Sequence, residues 1–456
     1  MTRLLWLVLF ASQVGYAGGF SLYTEGSAAE VGNFAAGSAA EAADASIGWY
    51  NPAGLVFLQK HQILLSGVAV VPRSTLSGVS TYMTGIFPAY QQSFDALKGG
   101  REAVVPALHY TYPLGTRAAV GFNVVSPFGL SSHWPAQSPL RYAATLTKMT
   151  AVNASPALSG LITDHLAVGL GLDVQWAQVF FDGVAGSPAG LQYLESIGAP
   201  VTPTFLDSSS SNQGTSIGIG FHGGVLGLFN DHHTRLGLNY QSAVQHQFRG
   251  YSVLTGRLAD PELTNPDAIY STPDLLSDTS LPSVLTLSLY QDVSARWALL
   301  GSVVYTGWSI EKTTELLNVA GFSTESSEQA PMNLIASQNY RDTWRFALGV
   351  NYHVNERWML RVGGGYDETP TVDAARDVRL PDANRWALSI GTHYQATPSL
   401  GFDLGYTYLN AAHSSMINKT QVFDALNAVN VNAHAVSHVQ LGGLQAVWTF
   451  DGEKRA

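Results

Sequence analysis

The chain has no cysteine, which excludes a disulfide scaffold and any cysteine-ligated zinc or iron–sulfur centre. It is also poor in charge. Only 12% of its 456 residues are Asp, Glu, Lys or Arg, about half the share usual in soluble proteins. Intrinsic disorder needs high charge with low hydrophobicity, and 46% of these residues are apolar. Long apolar runs are missing too. Beyond the N-terminus no segment approaches the ~20 residues of a spanning helix, which excludes a helical membrane bundle. A basic excess is absent: the formal net charge is −10, which argues against a nucleic-acid partner. What is present is 45 Gly, with 10 Trp, 20 Tyr and 19 Phe. A chain that is apolar in total but nowhere in long runs suits a membrane β-barrel, whose strands alternate one face to lipid and one face inward.

The first residues carry an address. Arg3 is followed by the short apolar run Leu4 to Ala11, and Gly15-Tyr16-Ala17 sets small residues at the −3 and −1 positions of a cleavage site. This is the pattern of a secretory signal peptide over 1–17, leaving Gly18 as the mature start. The alternative, a retained anchor, meets the objection that the run is too short to span.

Strict alternation then marks strands. Leu166, Val168, Leu170, Leu172, Val174 and Trp176 share one face, with Ala167, Gly169, Gly171, Asp173 and Gln175 on the other. Trp344, Phe346, Leu348, Val350 and Tyr352 alternate with Arg345, Ala347, Gly349 and Asn351. In a soluble sandwich the greasy face would be the core. After a signal peptide and without cysteines, it is the lipid face of an outer-membrane barrel. Six short connections, from Pro113-Leu114-Gly115 to Thr397-Pro398-Ser399, alternate with seven longer polar ones near 72–103, 127–147, 182–212, 251–280, 312–340, 369–379 and 411–433. Thirteen connections join fourteen strands, with both barrel ends in the periplasm. The predicted fold is all-β: a 14-stranded antiparallel transmembrane β-barrel over 57–450. In the last strand the apolar alternation changes phase at Gly442-Gly443, which predicts a β-bulge, and 451–456 is a polar tail.

Residues 18–56 are rich in Ala, Gly and Ser and alternate poorly. The stretch is either a plug folded inside the barrel or a disordered leader. Its close, Trp49-Tyr50-Asn51-Pro52-Ala53-Gly54, combines aromatic, turn and small residues and reads as ordered.

An ordered set of motifs runs along the chain: Gly18-Gly19-Phe20-Ser21-Leu22, Asn51-Pro52-Ala53, Ser126-Pro127-Phe128-Gly129-Leu130, Leu281-Pro282, Tyr305-Thr306-Gly307-Trp308-Ser309, Trp344-Arg345-Phe346-Ala347-Leu348-Gly349, Tyr366-Asp367-Glu368-Thr369-Pro370 and Leu380-Pro381-Asp382-Ala383-Asn384-Arg385-Trp386. Over essentially the whole mature chain, this set resembles the outer-membrane long-chain fatty acid transporter family (FadL type), including its hydrocarbon-uptake relatives. The resemblance implies a barrel plugged by an N-terminal hatch over 18–56. It also implies passive uptake of a hydrophobic molecule, foremost a long-chain fatty acid, caught at the outer loops, passed to an inner pocket and released sideways through the wall. Neutral aromatic or aliphatic hydrocarbons are the alternative ligands, and a general aqueous porin is the second alternative function. A monomer in contact with outer-membrane lipid, with no cofactor or metal, is expected in the outer membrane of a Gram-negative bacterium.

Individual residues sharpen this expectation. Pro127 has no N–H for a neighbouring strand and Gly129 tolerates unusual backbone, so Pro127, Phe128 and Gly129 are candidates for the lateral opening, unless Pro127 merely ends a strand. Phe128 is also a candidate ligand contact, and Asn51, Pro52 and Ala53 form the hatch motif. In the family a basic residue precedes the aromatic-Arg-x-Ala-Leu-Gly run, and Arg341 holds that place as the candidate headgroup ligand. A second basic position of the family falls at Trp176 to Phe180, where this chain has none. Arg345, Arg361 and Arg385 point into the lumen, where ion pairs with Asp or Glu are the competing role. The matches Gly214-Thr215-Ser216-Ile217-Gly218 and Gly218 to Gly223 open an alternating strand and lack the helix that a nucleophile elbow or a dinucleotide site requires, so no enzymatic activity is expected. His232-His233, adjacent in a turn, is a poor metal site.

Overall fold

The computed structural model describes residues 20–450 except 325, so the signal-peptide expectation and the tail after Phe450 lie outside the described residues. The chain forms a closed 14-stranded antiparallel barrel. In chain order the strands are β1 (His61–Thr84), β2 (Tyr90–Lys98 and Ala103–Pro113), β3 (Ala118–Val125 and Gly129–His133), β4 (Leu146–Thr163), β5 (Leu166–Ala185), β6 (Ser208–Phe229) and β7 (Thr234–Gln241 and Val244–Thr255). The second half comprises β8 (Ile269–Leu281 and Val284–Asp292), β9 (Trp297–Thr306 and Thr313–Ser323), β10 (Glu328–Ser337 and Thr343–His353), β11 (Trp358–Asp367), β12 (Arg385–Thr397), β13 (Leu400–Ala411 and Ser415–Val422) and β14 (Asn427–Phe450). Each strand pairs with the next. β14 closes on β1 in unbroken register, from His61 opposite Phe450 to Thr84 opposite Asn427.

The outer face follows the alternation. Four tight aromatic pairs fix its height. Trp297 meets Tyr352 and Trp358 meets Tyr394, each at 4.4 Å between ring centroids. Tyr305 meets Trp344 at 5.0 Å, and Tyr366 meets Trp386 at 4.7 Å. On each of the four strands the lower and upper aromatic are eight residues apart, or about 26 Å along a strand. With strands tilted ~40° as in outer-membrane barrels, that is a rise of about 20 Å between the girdle positions, which the rings at either end extend toward the ~25 Å apolar band. Exposed Leu299, Leu348, Leu360, Val362, Leu388 and Ile390 fill the band between them.

Two expectations need correction. Four of the seven segments read as long loops, near 72–103, 251–280, 312–340 and 411–433, are largely strand, whereas 127–147, 182–212 and 369–379 are mostly irregular or helical. Ladders run on through Thr84, Thr255, Ser323 and Val422 and return in the next strand. Above the upper girdle the outer face meets water rather than lipid, so apolar alternation stops there although pairing does not. The second correction is at Gly442-Gly443. The register of β14 passes through both glycines without a shift, against β1 and against β13. Val439 and Leu441 face inward together with Gly443, Gln445 and Val447. They are apolar because the lumen at that height is apolar, not because the strand changes phase.

Residues 20–58 occupy the lumen. They form α1 (Ala28–Val31), α2 (Ile47–Tyr50) and a 3-10 turn (Pro52–Phe57), and nearly all of them are buried. Asn51 starts the turn: its side-chain oxygen accepts from the Ala53 N–H at 3.1 Å, while its amide donates to Ala39 O at 2.8 Å and to Val225 O of β6 at 3.1 Å. A segment with so little regular structure leaves many backbone groups to be satisfied, and wall side chains satisfy them. Ser66 accepts from Ala28 N–H, Ser302 from Gly37 N–H and Ser288 from Ala39 N–H. Ser159 donates to Ala53 O, and Thr407 donates to Val31 O. The rings of His109 and His222 reach Gly26 O and Gly48 O. Elsewhere the segment lies directly on wall glycines. A Cβ at Gly237 would overlap the Ala39 carbonyl, and one at Gly363 the Asn33 backbone.

Overpacking such a contact costs about 1–3 kcal/mol. Gly237→Leu and Gly363→Leu are therefore expected to unseat residues 20–58 while leaving the barrel folded. Single-channel conductance in planar bilayers should rise in both variants, and unchanged conductance would show that the segment tolerates the added side chain.

Candidate substrate path

The wall is interrupted at Ser126-Pro127-Phe128. Below this point β3 pairs with β2 as far as Val124 opposite Leu108. Above it, the next contact is the bridge between Gly100 and Ser132, with His133 N–H donating to Gly99 O at 3.0 Å. Over the rungs between, β3 turns from β2 to the N-terminal segment. Leu22 N–H donates to Pro127 O and Gly129 N–H to Phe20 O, each at 2.8 Å, and Ser21 bridges Phe128. Pairing with β4 continues behind the kink, where Ala151 N–H donates to Phe128 O at 3.2 Å. Pro127 cannot donate, so its place in a ladder costs nothing here.

Inside the kink lies an aromatic cluster. Phe20 sits 4.5 Å from Trp308 and 6.2 Å from Phe128 between ring centroids. Trp308 is 5.9 Å from both Phe128 and Tyr340. All four are buried and belong to one apolar body with Leu22, Val105, Leu130 and Leu380.

Above the cluster, the extracellular hairpins and loops enclose a cavity of about 310 Å³. Its walls are mostly apolar, with Tyr82, Tyr142, Phe181, Leu316, Phe322 and Phe423 among them. Phe181 lines the cavity and packs on the aromatic body below, and Leu380 of that body follows Arg379 of the cavity wall, so floor and cluster adjoin. Arg379 is the one basic side chain in the lining, beside the acids Asp182 and Asp424. Arg379 donates to Asp377 at 3.1 Å, to Gln421 at 3.1 Å and to Ala143 O at 2.5 Å. The rim is held by Arg141, 2% exposed, which donates to Asp207 at 2.8 Å and to Gln92 at 2.7 Å. Burial pushes the Asp207 carboxyl up from its ordinary range, while Tyr142 and Arg141 pull it back.

The predicted residues separate by role. Phe128 joins the aromatic cluster, and Asn51, Pro52 and Ala53 dock the plug on β5 and β6, where Gly169 and Gly224 leave room for them. Arg341 faces neither cavity nor cluster. It is exposed, and its guanidinium donates to Thr369 O at 3.2 Å and to Asn384 at 3.3 Å. Of the lumen arginines, Arg361 pairs with Asp403 at 2.5 Å and Arg385 with Asp367 at 2.9 Å. Arg345 instead lies 3.8 Å over the Phe34 ring and donates to Phe34 O at 3.3 Å. Phe20, Trp308, Tyr340 and Arg379 were not singled out as site residues from sequence. Trp308 and Phe20 lie in recognisable motifs. Tyr340 and Arg379 lie in irregular segments that no periodicity flags.

A barrel with a filled lumen, a kinked third strand and an apolar outer cavity has known counterparts. The profile of the outer membrane protein transport family (OMPP1/FadL/TodX) matches residues 8–450. The chain belongs to this family. The long-chain fatty acid transport protein of Escherichia coli O6:H1 is 27% identical over 88% of this chain and 89% of its own. Among solved structures, a Pseudomonas aeruginosa FadL homologue superposes with a TM-score of 0.79 at 23% identity, covering 95% of this chain and all of that one. The Ralstonia pickettii toluene transporter TbuX gives 0.60 at 17% identity over 94% and 99%. The protein is thus an outer-membrane transport barrel of a Gram-negative bacterium.

Arg141→Ala would leave Asp207 partly buried without its counter-charge. Breaking such a pair costs about 3 kcal/mol, the low end for a buried pair because Asp207 keeps some contact with water. Limited proteolysis should then cut within 134–145 or 186–207 at least tenfold faster, while the heat-induced gel shift of the barrel stays as in the parent.

Proposed function

We propose that this transporter takes up hydrophobic molecules, long-chain fatty acids foremost, and releases them sideways into the outer membrane. The observation that carries the reading is the break between β2 and β3. There the wall gives up its ladder, and the aromatic cluster stands directly behind it. Each CH₂ moved from water into an apolar site gains ~0.8 kcal/mol, so a greasy solute gains at every step from the outer cavity to the cluster to lipid. Residues 18–56 act as the hatch that denies polar solutes a straight path, and 57–450 form the barrel. The protein works as a monomer, without catalysis, and its other contact is membrane lipid. Asn51, Pro52 and Ala53 anchor the hatch. Phe128 contacts the passing ligand, and Pro127 and Gly129 keep the wall open.

Gly129→Leu should fill the break. Uptake of a labelled fatty acid by cells is expected to fall at least fivefold, with binding to the purified protein changed less than twofold. Full uptake in a correctly inserted variant would reject lateral release.

The charge of the outer cavity supports a second reading, in which the ligand is a neutral hydrocarbon. Arg379 is committed to protein partners, Asp182 and Asp424 face the same space, and Arg341, the candidate headgroup ligand, lies outside it. The two readings separate in the double variant Asp182→Asn, Asp424→Asn. If neutral ligands are preferred through these charges, laurate binding should rise about tenfold while dodecane binding stays constant. Under the fatty-acid reading the parent already binds laurate well, and the double variant changes that binding less than twofold.

A further inference from the structure

Directly above the break between β2 and β3, the outside of the wall carries a row of cations. Ser131 of β3 stands opposite Lys148 of β4, and Lys148 stands opposite Phe180 of β5. On the other side of β3, Gly100 bridges Ser132, which sets the next residue, Arg101, beside Ser131. Arg101 and Lys148 therefore flank one strand. His133, two residues beyond Ser131, shares its face, and the Arg101 charge acts on both His133 and Lys148.

The face is the outer one. Phe128 and Leu130 of β3, Met149 of β4 and Val179 of β5 belong to the inner apolar body. Ser131, His133, Lys148 and Phe180 have the opposite parity on the same strands, and Arg101 is exposed. Lower on the outside of these strands the surface is apolar, with Val104, Phe122, Leu172, Val174 and Trp176 exposed. The cations mark where that surface ends on its extracellular side.

The charges are not compensated within the protein. Among the described residues no carboxylate pairs with Arg101, His133 or Lys148. The neighbouring acid, Glu102, is taken by Arg73 at 3.0 Å. Lys148 is held 6.0 Å from the centre of the Phe180 ring, a contact that fixes its ammonium beside the wall. Like charges on adjacent strands destabilise their pairing, and an anionic group placed between them reverses that effect. Arg presents a planar fork that matches phosphate oxygens, and Lys adds a point charge. Position names the source of the phosphate. The row lies on the membrane side of the wall, at the upper limit of its apolar surface, where lipid headgroups begin.

We propose that Arg101, His133 and Lys148 form a binding site for the phosphorylated headgroup of an outer-leaflet glycolipid. Gly129 stands opposite Thr150, two residues below the pair of Ser131 and Lys148, or about 7 Å along the strand. A lipid held by its phosphate at this row lays its chains along Val104 and Phe122, beside the β2–β3 break. The site thus determines which lipid borders the opening, whatever solute the transporter carries.

The test uses the purified full-length protein in an uncharged detergent. It is titrated with bisphosphorylated lipid A, and bound lipid is counted by native mass spectrometry. Arg101→Gln with Lys148→Gln should weaken binding at least about tenfold, the loss of two cations at a headgroup. Lipid A stripped of both phosphates should bind the parent no better than intact lipid A binds this variant. Arg101→Lys with Lys148→Arg keeps the charges and should stay within about threefold of the parent. Arg249→Gln with Lys312→Gln removes two exposed charges elsewhere and should change binding less than twofold. The heat-induced gel shift of the barrel shows that each variant is folded. Equal loss in the Arg249 and Lys312 pair, or equal binding of the stripped lipid, would overturn the site. Displacement of lipid A by inorganic phosphate at equal concentration would show a site for a free anion and overturn the lipid assignment.

Discussion

Everything else in this molecule depends on the fit between an irregular N-terminal segment and the inner face of its barrel. A stretch of thirty-nine residues with two single-turn helices cannot satisfy its own backbone. It persists inside the lumen because Ser, Thr, Gln and His side chains from the wall take the place of secondary structure, and because glycines let its carbonyls lie against the sheet. Phe34 and Ala35 are held at positive φ, a conformation that persists only where surroundings impose it. Arg345, stacked on Phe34 and bonded to its carbonyl, is one of the groups imposing it.

The same segment shapes the path for solutes. Its first described residues, Phe20 to Leu22, satisfy the backbone that the third strand withdraws from β2. Without them, the kink would leave buried polar groups unpaired in an apolar setting, at several kcal/mol each. The opening and the segment that blocks the lumen are thus one construction. On the proposed reading, polar solutes meet a filled barrel, while apolar ones meet a series of apolar surfaces that ends in lipid.

Much of this was legible in the sequence, for physical reasons that also mark where legibility ended. Lipid imposes a period of two, so β5, β10 and β12 announced themselves through residues such as Leu170, Phe346 and Ile390. Water imposes no such period, which is why the hairpins above the girdles read as loops. Val439 and Leu441 misled because the lumen is polar at the plug and apolar above it; alternation of hydrophobicity tracks the environment, not the side of the sheet. Pro127 and Gly129 were recognisable as breakers, but which partner replaced the lost ladder depended on tertiary contact. Arg341 had a suggestive place in the chain, yet the loops at Thr369 and Asn384 claim it. The role of Arg379 depended on three other loops folding over it.

The seam between first and last strands has a consequence for how the molecule is made. It is a ladder of 24 residues on each side, and half of it belongs to the last of the fourteen strands to be synthesised. Residues 20–58 touch every strand of the wall, and they precede β1. Before the ladder zips they can meet the wall strand by strand; afterwards they can enter only through the periplasmic mouth. Either way their contacts with the last strand wait until that strand is in place. Contacts of such sequence separation are slow to form, so the interval before closure, with one end of the chain still unhoused, is where assembly of this protein is most exposed to failure.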